Sequence, residues 1–458
     1  MKRSIGDIFK REYEVRLSVN SRDTVSPSSE QQKGIALLSA EEDKIFSSGN
    51  TAAIEETFAL IREVQPEVLR FFAESPAYNR WLSFCSKEGI SPHLVFSSDA
   101  SSEQLRTAAA ECVSEMERHD LQQLPRYYEI DFSTDGVSLG DDGEINARVM
   151  KMKSCAEQLR AADPEGKIIL GGITPDSLNA GRAEAWNTVL MEQCAGVMDL
   201  LGVTLFPQVP AGRTWNEDSD GIEAGFALAE EIRSTLQRLE RQISRTAADS
   251  GIRLAVTGWG PLQDDTRQKR QDCLFFSSVY KALRMGRGMI GLFEAGPLFG
   301  RNGLLRFEEG KVFGDVFYHN MLITSDDLPV CLEVKEAEYE KPCPAYHWEG
   351  LPGTFDGADI KLLDCYASRS TDGKKLYLLL TNRTPFRRAV PRIRFYDLPD
   401  THPAQACSMR SAKRLDENSA SAPLNVYCKD VKLRKYRNMD HVTLDILQCS
   451  TVCMVLEQ

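Results

Sequence analysis

Leu200-Leu-Gly-Val-Thr-Leu-Phe206, the helical stretch from Gly221 to Ser250, and Arg253-Leu-Ala-Val-Thr257 together decide the fold. In the middle stretch, apolar residues recur at steps of four, four, three and four, which is one stripe along a helix. The stripe consists of Leu228, Ile232, Leu236, Leu239 and Ile243. Both flanking runs are almost continuously apolar, as is typical of parallel strands covered on both faces. The stretch therefore predicts a strand–helix–strand unit.

The same unit recurs from residue 33 onwards. Short apolar runs, separated by polar loops and amphipathic stretches, are predicted to be strands. These runs are Gly34–Leu38, Val68–Phe72, His93–Phe96, Tyr127–Phe132, Lys167–Gly171, Leu200–Phe206, Arg253–Thr257 and Met289–Phe293. Eight such units favour a closed (β/α)8 TIM barrel over an open sheet. The barrel is predicted to span residues 33–322.

The pattern changes after residue 322. Short strand-like runs follow, separated by turn-rich segments and with no long helical stripe between them. They are Leu332–Val334, Lys361–Ser368, Lys375–Thr381, Ile393–Phe395, Asn425–Tyr427, Val442–Ile446 and Val452–Leu456. This pattern predicts an antiparallel β-sandwich over residues 323–458. Residues 1–32 are predicted to hold one alternating strand, Tyr13–Asn20, which is a candidate to join the sandwich, and a linker into the barrel.

Composition narrows the possible partners. The chain has 458 residues, and its 55 Lys and Arg against 67 Asp and Glu give a net charge of −12. Nucleic acids and anionic membranes need a basic face, so the balance argues against both. No apolar run approaches the ~18 residues of a spanning helix, and the charged start does not fit a secretory signal. The twelve cysteines form no Cys-x-x-Cys pair, which is typical of reduced thiols, so a cytoplasmic location is predicted.

Several strings carry a resemblance to a known family. Trp81-Leu-Ser-Phe-Cys-Ser-Lys-Glu-Gly89, Arg126-Tyr-Tyr-Glu-Ile-Asp-Phe-Ser-Thr-Asp-Gly136, Met198-Asp-Leu-Leu-Gly-Val-Thr-Leu-Phe206, Ile252-Arg-Leu-Ala-Val-Thr-Gly-Trp259 and Asp364-Cys-Tyr-Ala-Ser368 occur in this order. They resemble, in the same order, motifs of the α-L-arabinofuranosidases of glycoside hydrolase family 51. The resemblance implies a barrel with a C-terminal sandwich, no cofactor, an arabinose-containing carbohydrate as partner, and self-association into a homo-oligomer.

The departures from the family fall on the chemistry. By the resemblance, the family's acid/base glutamate falls on Ser133 and its nucleophile glutamate on Gly258, while a histidine and a tyrosine fall on Thr204 and Phe206. Retaining glycoside hydrolysis needs two carboxyl groups ~5–5.5 Å apart. Serine and glycine supply neither. The sequence therefore predicts a degenerate, non-hydrolytic relative, retained for carbohydrate binding or protein interaction.

An active enzyme with relocated acids is the alternative. Strand alternation places Asp131 one pleat from Ser133 on the same face, and Glu294 follows the eighth strand, so these two acids are the candidate pair. The competing interpretation is that both are buried, ion-paired barrel residues with Arg70 as counter-charge. An unrelated activity on the same barrel is a third possibility.

Other candidate residues concern binding. Trp259, Trp215, Phe206 and Glu74 are the predicted substrate-binding residues, because aromatic faces stack on sugars and the others lie at strand ends or on barrel loops. For both tryptophans, packing is the alternative. The six histidines show no His-x-His or His-Glu-x-x-His spacing, so no metal site is predicted.

Overall fold

The computed structural model describes residues 12–27, 31–38, 44–47, 49–97, 102–131, 142–175, 180–206, 219–260, 268–286, 288–300, 302–336, 340–343, 358–384, 387–396, 402–431, 441–444 and 446–457. Eight parallel strands close into a barrel in chain order, and the last pairs with the first. They are β2 (Gln32–Ala36), β3 (Val68–Phe72), β4 (Ser91–Ser97), β5 (Tyr127–Asp131), β6 (Lys167–Gly171), β7 (Leu200–Leu205), β8 (Arg253–Trp259) and β9 (Ile290–Ala295). Each overlaps a predicted run, so the predicted TIM barrel is confirmed.

Helices alternate with these strands. They are α1 (Lys44–Ser47), α2 (Thr51–Val64), α3 (Tyr78–Glu88), α4 (Ser102–Arg118), α5 (Asp142–Ala162), α6 (Ala180–Cys194), α7 (Ser219–Thr246), α8 (Cys273–Arg284) and α9 (Val316–Thr324). Local sequence sets several ends. The Asn50 side chain accepts a hydrogen bond from the amide of Ala53 and caps α2, and Gly89 ends α3 at φ 70°. Along α7, Leu236 and Leu239 of the predicted stripe are buried.

A nine-stranded sheet forms the second layer. Its strands are β1 (Glu12–Pro27), β12 (Val330–Glu336), β15 (Leu363–Arg369), β16 (Lys375–Asn382), β17 (Arg388–Tyr396), β18 (His402–Arg410), β19 (Tyr427–Asp430), β20 (His441–Thr443) and β21 (Ser450–Glu457). Their order in the sheet is β19-β18-β21-β16-β15-β12-β1-β17-β20. Two small hairpins accompany it: β10 (Leu305–Glu308) with β11 (Lys311–Gly314), and β13 (Glu340–Cys343) with β14 (Ala358–Lys361). The predicted β-sandwich is confirmed, with one difference: β1 runs parallel to β17, so the sheet is mixed.

Two segments cross the predicted boundaries. Strand β1 continues to Pro27, so residues 21–27 of the predicted linker are extended, and Thr24, Ser26 and Pro27 pair with β12. Helix α9 begins at Val316 and ends at Thr324, across the predicted boundary at residue 322. The chain therefore passes from barrel to sheet through a helix.

The barrel interior is layered. One layer holds six apolar side chains, each from a different strand: Val68, Tyr127, Ile169, Leu200, Ala255 and Leu292. Because alternate strand residues share a face, the next inward positions, such as Arg70 and Glu129, lie one pleat nearer the carboxyl ends of the strands. The layer that contains Arg70 and Glu129 is charged, and it forms the floor beneath the mouth of the barrel.

Candidate functional site at the barrel mouth

Gly258 lies at the carboxyl end of β8, where a nucleophile was predicted to be missing. A β-carbon built on it would lie 2.9 Å from Cε2 of Phe206, 3.0 Å from its Cζ, and 3.0 Å from Cδ2 of Leu38. Real β-carbons are essentially never closer than 3.0 Å to such atoms. The space that a side chain at this position needs is therefore occupied by a ring and an isobutyl group.

A bulge in β8 sets this arrangement. The pairing of β7 with β8 runs from Val203–Val256 to Thr204–Gly258, so Thr257 is one residue in excess on β8. Such an extra residue bends its strand and re-aims the following side chains. Thr257 is 1% exposed, whereas Phe206, which follows β7 and fills the space at Gly258, is half-buried.

Trp259 does not line the mouth. Its side chain is fully buried, and its ring packs edge-on against Phe317 of α9 with centroids 5.0 Å apart. This is the packing alternative considered for Trp259. A sugar has no exposed indole face to stack on at this position in the structure.

Asp131 and Glu74 do reach the rim. Asp131 ends β5, is half-buried, and pairs in register with Ser97 of β4. Glu74 is exposed on the turn that follows β3. Ser133 and Trp215 lie outside the described residues.

Four buried charged side chains form the floor of the mouth, and we call them the floor network: Arg70, His93, Glu129 and Glu294. Nε of Arg70 donates to Oε2 of Glu129 at 2.6 Å, and the same oxygen lies 3.2 Å from Nε2 of His93. Nδ1 of His93 lies 3.0 Å from both carboxylate oxygens of Glu294. The four residues are 0–3% exposed. The network links β3, β4, β5 and β9.

A glycine makes room for this network. Gly34 of β2 is the register partner of Glu294, and a β-carbon on Gly34 would lie 2.8 Å from Cγ of Glu294. The bare backbone at residue 34 lets the Glu294 side chain cross the barrel interior towards His93. Arg70 is held in turn by its Nη1, which donates to the carbonyl oxygen of Leu37 at 2.8 Å.

The protonation of the network follows from burial and its neighbours. Burial opposes ionisation of Glu129, but Arg70 and His93 outweigh it and lower the pKa of Glu129 to about 2. Burial raises the pKa of Glu294, against the pull of His93. Burial disfavours the imidazolium of His93, yet Glu294 and Glu129 raise its pKa. Both raised pKa values favour keeping a proton within the His93–Glu294 pair, while Arg70 and His93 favour the ionised form of Glu129.

The two acids proposed as a candidate catalytic pair, Asp131 and Glu294, lie in different environments. Glu294 has no exposed surface and both its oxygens contact His93, whereas Asp131 lies one pleat above Glu129 at the strand end. Arg70 faces several acids, since Glu129, Asp131 and Glu294 all raise its pKa. For Glu294 the arrangement is the buried, hydrogen-bonded one, with His93 rather than Arg70 as its direct partner.

Sequence reasoning missed His93 and Glu129 as partners. The histidine spacing was examined only for metal ligands, and the sequence pattern assigned no role to Glu129. Strand alternation could have predicted this contact. Arg70 and His93 are register partners on neighbouring strands, so their side chains point to the same face. Within the described ranges, no group of three or more His, Cys, Asp or Glu side chains is arranged to hold a metal ion. None of the helices described is long and apolar enough to cross a membrane.

No protein-family model and no curated protein matches the sequence. Solved structures do match, and those named here are described as glycoside hydrolases. The α-L-arabinofuranosidase of Thermotoga maritima, in complex with arabinose, is 12% identical with a TM-score of 0.74, covering 97% of this chain and 100% of that one. The family 51 α-L-arabinofuranosidase of Bifidobacterium longum is 11% identical with a TM-score of 0.76, covering 97% and 99%.

A third neighbour shows the breadth of this fold. The family 44 xyloglucanase of Paenibacillus polymyxa is 9% identical with a TM-score of 0.63, covering 97% of this chain and 100% of that one. The chain thus has the fold of these hydrolases, and the predicted likeness to the family 51 arabinofuranosidases is confirmed at the level of the fold.

Proposed function

We propose that this chain is a non-hydrolytic, arabinofuranosidase-like protein whose barrel mouth binds an arabinose-containing carbohydrate. The observation that carries the proposal is the filled space at Gly258. Phe206 and Leu38 stand where a nucleophile would have to reach the sugar. A side chain could be accommodated there only if both apolar groups moved.

The state of Glu294 supports the same conclusion. The nucleophile of a retaining glycosidase must reach the anomeric carbon of the sugar, and the second carboxyl group must lie ~5–5.5 Å from the nucleophile. Glu294 has no exposed surface, and both its oxygens contact His93. Releasing it would break both contacts with His93 inside the barrel, and breaking a buried pair costs about 3–5 kcal/mol. Relocated catalysis by Asp131 and Glu294 is thus disfavoured.

Binding is favoured by what remains at the rim. Asp131 is a half-buried carboxylate that can accept hydrogen bonds from sugar hydroxyls, and Glu74 is an exposed one. The half-buried rings of Phe206 and Phe72 offer apolar surface, and Phe72 is held over the Arg70 guanidinium, with 5.5 Å from Cζ to the ring centroid. Carboxylates beside aromatic rings suit a neutral polyhydroxyl ligand.

Hydrolysis is tested first. Purified protein is incubated with an aryl α-L-arabinofuranoside, beside its Asp131→Asn and Glu294→Gln variants. We expect no release of the aryl group above the rate without protein. Turnover by the wild-type chain that either variant abolishes would overturn the non-hydrolytic part of the proposal.

Binding is tested by calorimetry with arabinose and arabino-oligosaccharides. Removing a charged hydrogen-bond acceptor weakens binding by about 10- to 100-fold, and we expect that loss in Asp131→Asn. The matched control is Asp249→Asn, an exposed aspartate on the turn between α7 and β8, at the opposite end of the barrel. Equal heats of binding for Asp131→Asn and Asp249→Asn would contradict carbohydrate binding at the mouth, and so would the absence of heat with every sugar. A protein would then be the remaining candidate ligand of the barrel mouth.

A further inference from the structure

Arg270 is a buried cation at the junction between barrel and sheet. It begins a short 3-10 helix, Arg270–Asp272, which leads into α8. Its backbone amide donates to the carbonyl oxygen of Asp416 at 2.9 Å, and the amide of Gln271 donates to the carbonyl oxygen of Arg414 at 3.1 Å. These two hydrogen bonds hold the start of α8 against the segment that follows β18. Arg270 is only 4% exposed.

The guanidinium of Arg270 has unused hydrogen-bond donors. Its Nε and Nη1 are buried and have no acceptor in the part of the chain that the structure describes. Burial lowers the pKa of Arg270, so the surroundings oppose its charge. Buried charges in folded proteins are normally paired, because a protein interior solvates an ion far less well than water does. A buried guanidinium in this state favours the binding of an anion.

The acidic groups around Arg270 do not serve as its counter-charge. Oδ2 of Asp272 and Oδ2 of Asp416 each accept a hydrogen bond from a backbone amide, at 2.7 Å and 2.6 Å. The thiols of Cys273 and Cys449 are also near Arg270, but burial raises their pKa values to about 12 and about 11. Both thiols are therefore protonated at neutral pH and carry no charge.

Two further arginines lie at the same place. Arg410 is the last residue of β18 and is half-buried. Its positive charge adds to the effect of burial in lowering the pKa of Arg270, so the two guanidiniums are near each other. Within the described ranges, no hydrogen bond or ion pair holds the Arg410 side chain. Arg414 is half-buried as well, and its Nη1 donates to Oε1 of Gln271 at 2.6 Å. An anion between these groups relieves the repulsion of their like charges.

The residue types define the chemistry of the anion. A guanidinium presents a planar fork of N–H donors, which matches the oxygens of a phosphate group. More than one guanidinium at a site favours a divalent anion over a monovalent one. Arg270 is buried, whereas Arg410 and Arg414 are half-buried, so the bound group is small and reaches Arg270 past the two outer arginines.

We propose that Arg270, Arg410 and Arg414 bind a phosphate group at the junction between barrel and sheet, and that this group is the counter-charge of Arg270. The group is inorganic phosphate or the phosphate of a monoester, since both present the same oxygens. Bound phosphate links the start of α8 to the end of β18, so it stabilises the folded chain. The site uses none of the residues at the barrel mouth and is independent of carbohydrate binding.

The test is calorimetry of the full chain with inorganic phosphate and, separately, with glucose 6-phosphate, at constant ionic strength. We expect binding of at least one probe, which shows whether the free anion or the monoester is preferred, and Arg270→Met should abolish it. Removing one outer charged donor weakens binding by about 10- to 100-fold, and we expect that loss in Arg410→Met. Arg241→Met is the matched control, because Arg241 is exposed on α7, and it should bind like the wild type.

Urea unfolding gives a second measurement. The midpoint of the wild type should rise with the concentration of the probe that binds, whereas that of Arg270→Met should not. Without phosphate, Arg270→Met should be at least as stable as the wild type, because an apolar side chain replaces a buried charge. The wild-type titrations need no variant, so they test the proposal even if a substitution impairs folding. Absence of binding by both probes, unchanged binding in Arg270→Met, or equal stabilisation by chloride at the same ionic strength overturns it.

Discussion

Gly258 and Phe206 act as a pair at the mouth of the barrel. The absence of a side chain at one position is matched by a ring at the other, with Leu38 completing the contact. A substitution of Gly258 by an acid would therefore place a carboxylate against apolar groups rather than in a pocket. The residue type at position 258 and the positions of Phe206 and Leu38 are coupled through packing.

We predict that Gly258→Ala destabilises the protein. The new methyl group would lie 2.9–3.0 Å from the Phe206 ring and from Leu38. Overpacking of this kind typically costs about 1–3 kcal/mol. Urea unfolding gives the change in the free energy of unfolding.

A double-mutant cycle with Phe206→Ala identifies the cause. The cost of Gly258→Ala should largely vanish when Phe206 is already alanine, because the clash is gone. Gly196→Ala is the control, since a β-carbon there meets no atom within 4 Å. Equal costs of Gly258→Ala with and without the ring would contradict the packing account.

The floor network gives a second prediction, which concerns pH. Glu129→Gln leaves Arg70 and His93 buried without their shared carboxylate, and breaking a buried pair costs about 3–5 kcal/mol. The pKa of Glu129 is lowered from 4.5 to about 2, so its stabilisation is present above pH 4.5 and is lost as the pH falls from there towards about 2. The stability difference between wild type and variant should therefore shrink below pH 4.5.

Urea unfolding of both proteins across the acid range measures this difference. Glu165→Gln is the control, because Glu165 is exposed on the turn between α5 and β6 at the other end of the barrel. A difference that stays constant with pH would mean that Glu129 is not ionised in the folded protein.

At the scale of elements, α8 joins the two layers. All of its twelve residues except Lys281 are buried, which is unusual for a barrel helix with a solvent face. One side packs on the barrel, and the other meets the sheet, where Oγ of Ser277 lies 3.0 Å from Oγ1 of Thr451. Nε of Arg284 at its end forms an ion pair with Asp327 at 2.6 Å.

Asp327 is the residue on which this junction depends. Its carboxylate also accepts hydrogen bonds from Tyr280 at 2.6 Å and from Tyr366 at 3.0 Å. We predict that Asp327→Asn, which leaves Arg284 buried without a counter-charge, lowers the free energy of unfolding by about 3–5 kcal/mol. Chemical denaturation measures it.

An exposed ion pair serves as the comparison. Lys375 and Glu457 lie 2.7 Å apart on the sheet, but both side chains are about half-exposed, and surface pairs contribute little. Glu457→Gln should leave the urea midpoint nearly unchanged. If the two substitutions had similar effects, burial of the Arg284–Asp327 pair would not be what stabilises the junction.

The elements that sequence patterns predicted are those with strong periodicity. Several of the eight barrel runs are nearly continuously apolar because parallel strands are covered on both faces, and all eight runs overlap strands of the structure. Strand β18 was missed, since His402-Pro-Ala-Gln-Ala-Cys-Ser-Met-Arg410 contains proline and polar residues and little β-branched character. It pairs with β21 all the same, because the sheet supplies the partner.

The residues at the two positions were predictable from the sequence, but the geometry around them was not. That Ser133 and Gly258 correspond to the two acids of the family is what the resemblance implies. The Phe206 contact with Gly258 and the His93–Glu294 contact join residues far apart in the chain. Whether these residues meet depends on the shear of the barrel and on the bulge in β8, and neither can be read from the sequence of a single strand.

At the scale of the whole molecule, barrel and sheet share one hydrophobic core. The cluster that contains the barrel residues Trp81 and Trp259 also contains Tyr377, Met409 and Cys453 of the sheet. Neither layer can be removed without exposing apolar surface of the other. The two are therefore expected to be one cooperative unit.

We predict a single unfolding transition on this basis. Tryptophan fluorescence reports mainly the barrel, because four of the five tryptophans lie within residues 33–322 and Trp81, Trp186 and Trp259 are fully buried. Far-ultraviolet circular dichroism reports both layers. The two signals should change at the same urea concentration. Two separated transitions in the wild type would show that the layers unfold independently, whereas in Asp327→Asn a separation is the expected result of weakening the junction.

Strand β1 has a consequence for how the chain is made. Its sixteen residues lie between β12 and β17 within the sheet, and both partners come more than three hundred residues later in the sequence. During translation the barrel strands leave the ribosome in order and can close, while the strand made before them waits without a partner for nearly the whole synthesis. An unpaired strand of that length invites association with other nascent chains, so the yield of soluble protein in a cell should depend on chaperones that shield the N-terminal segment.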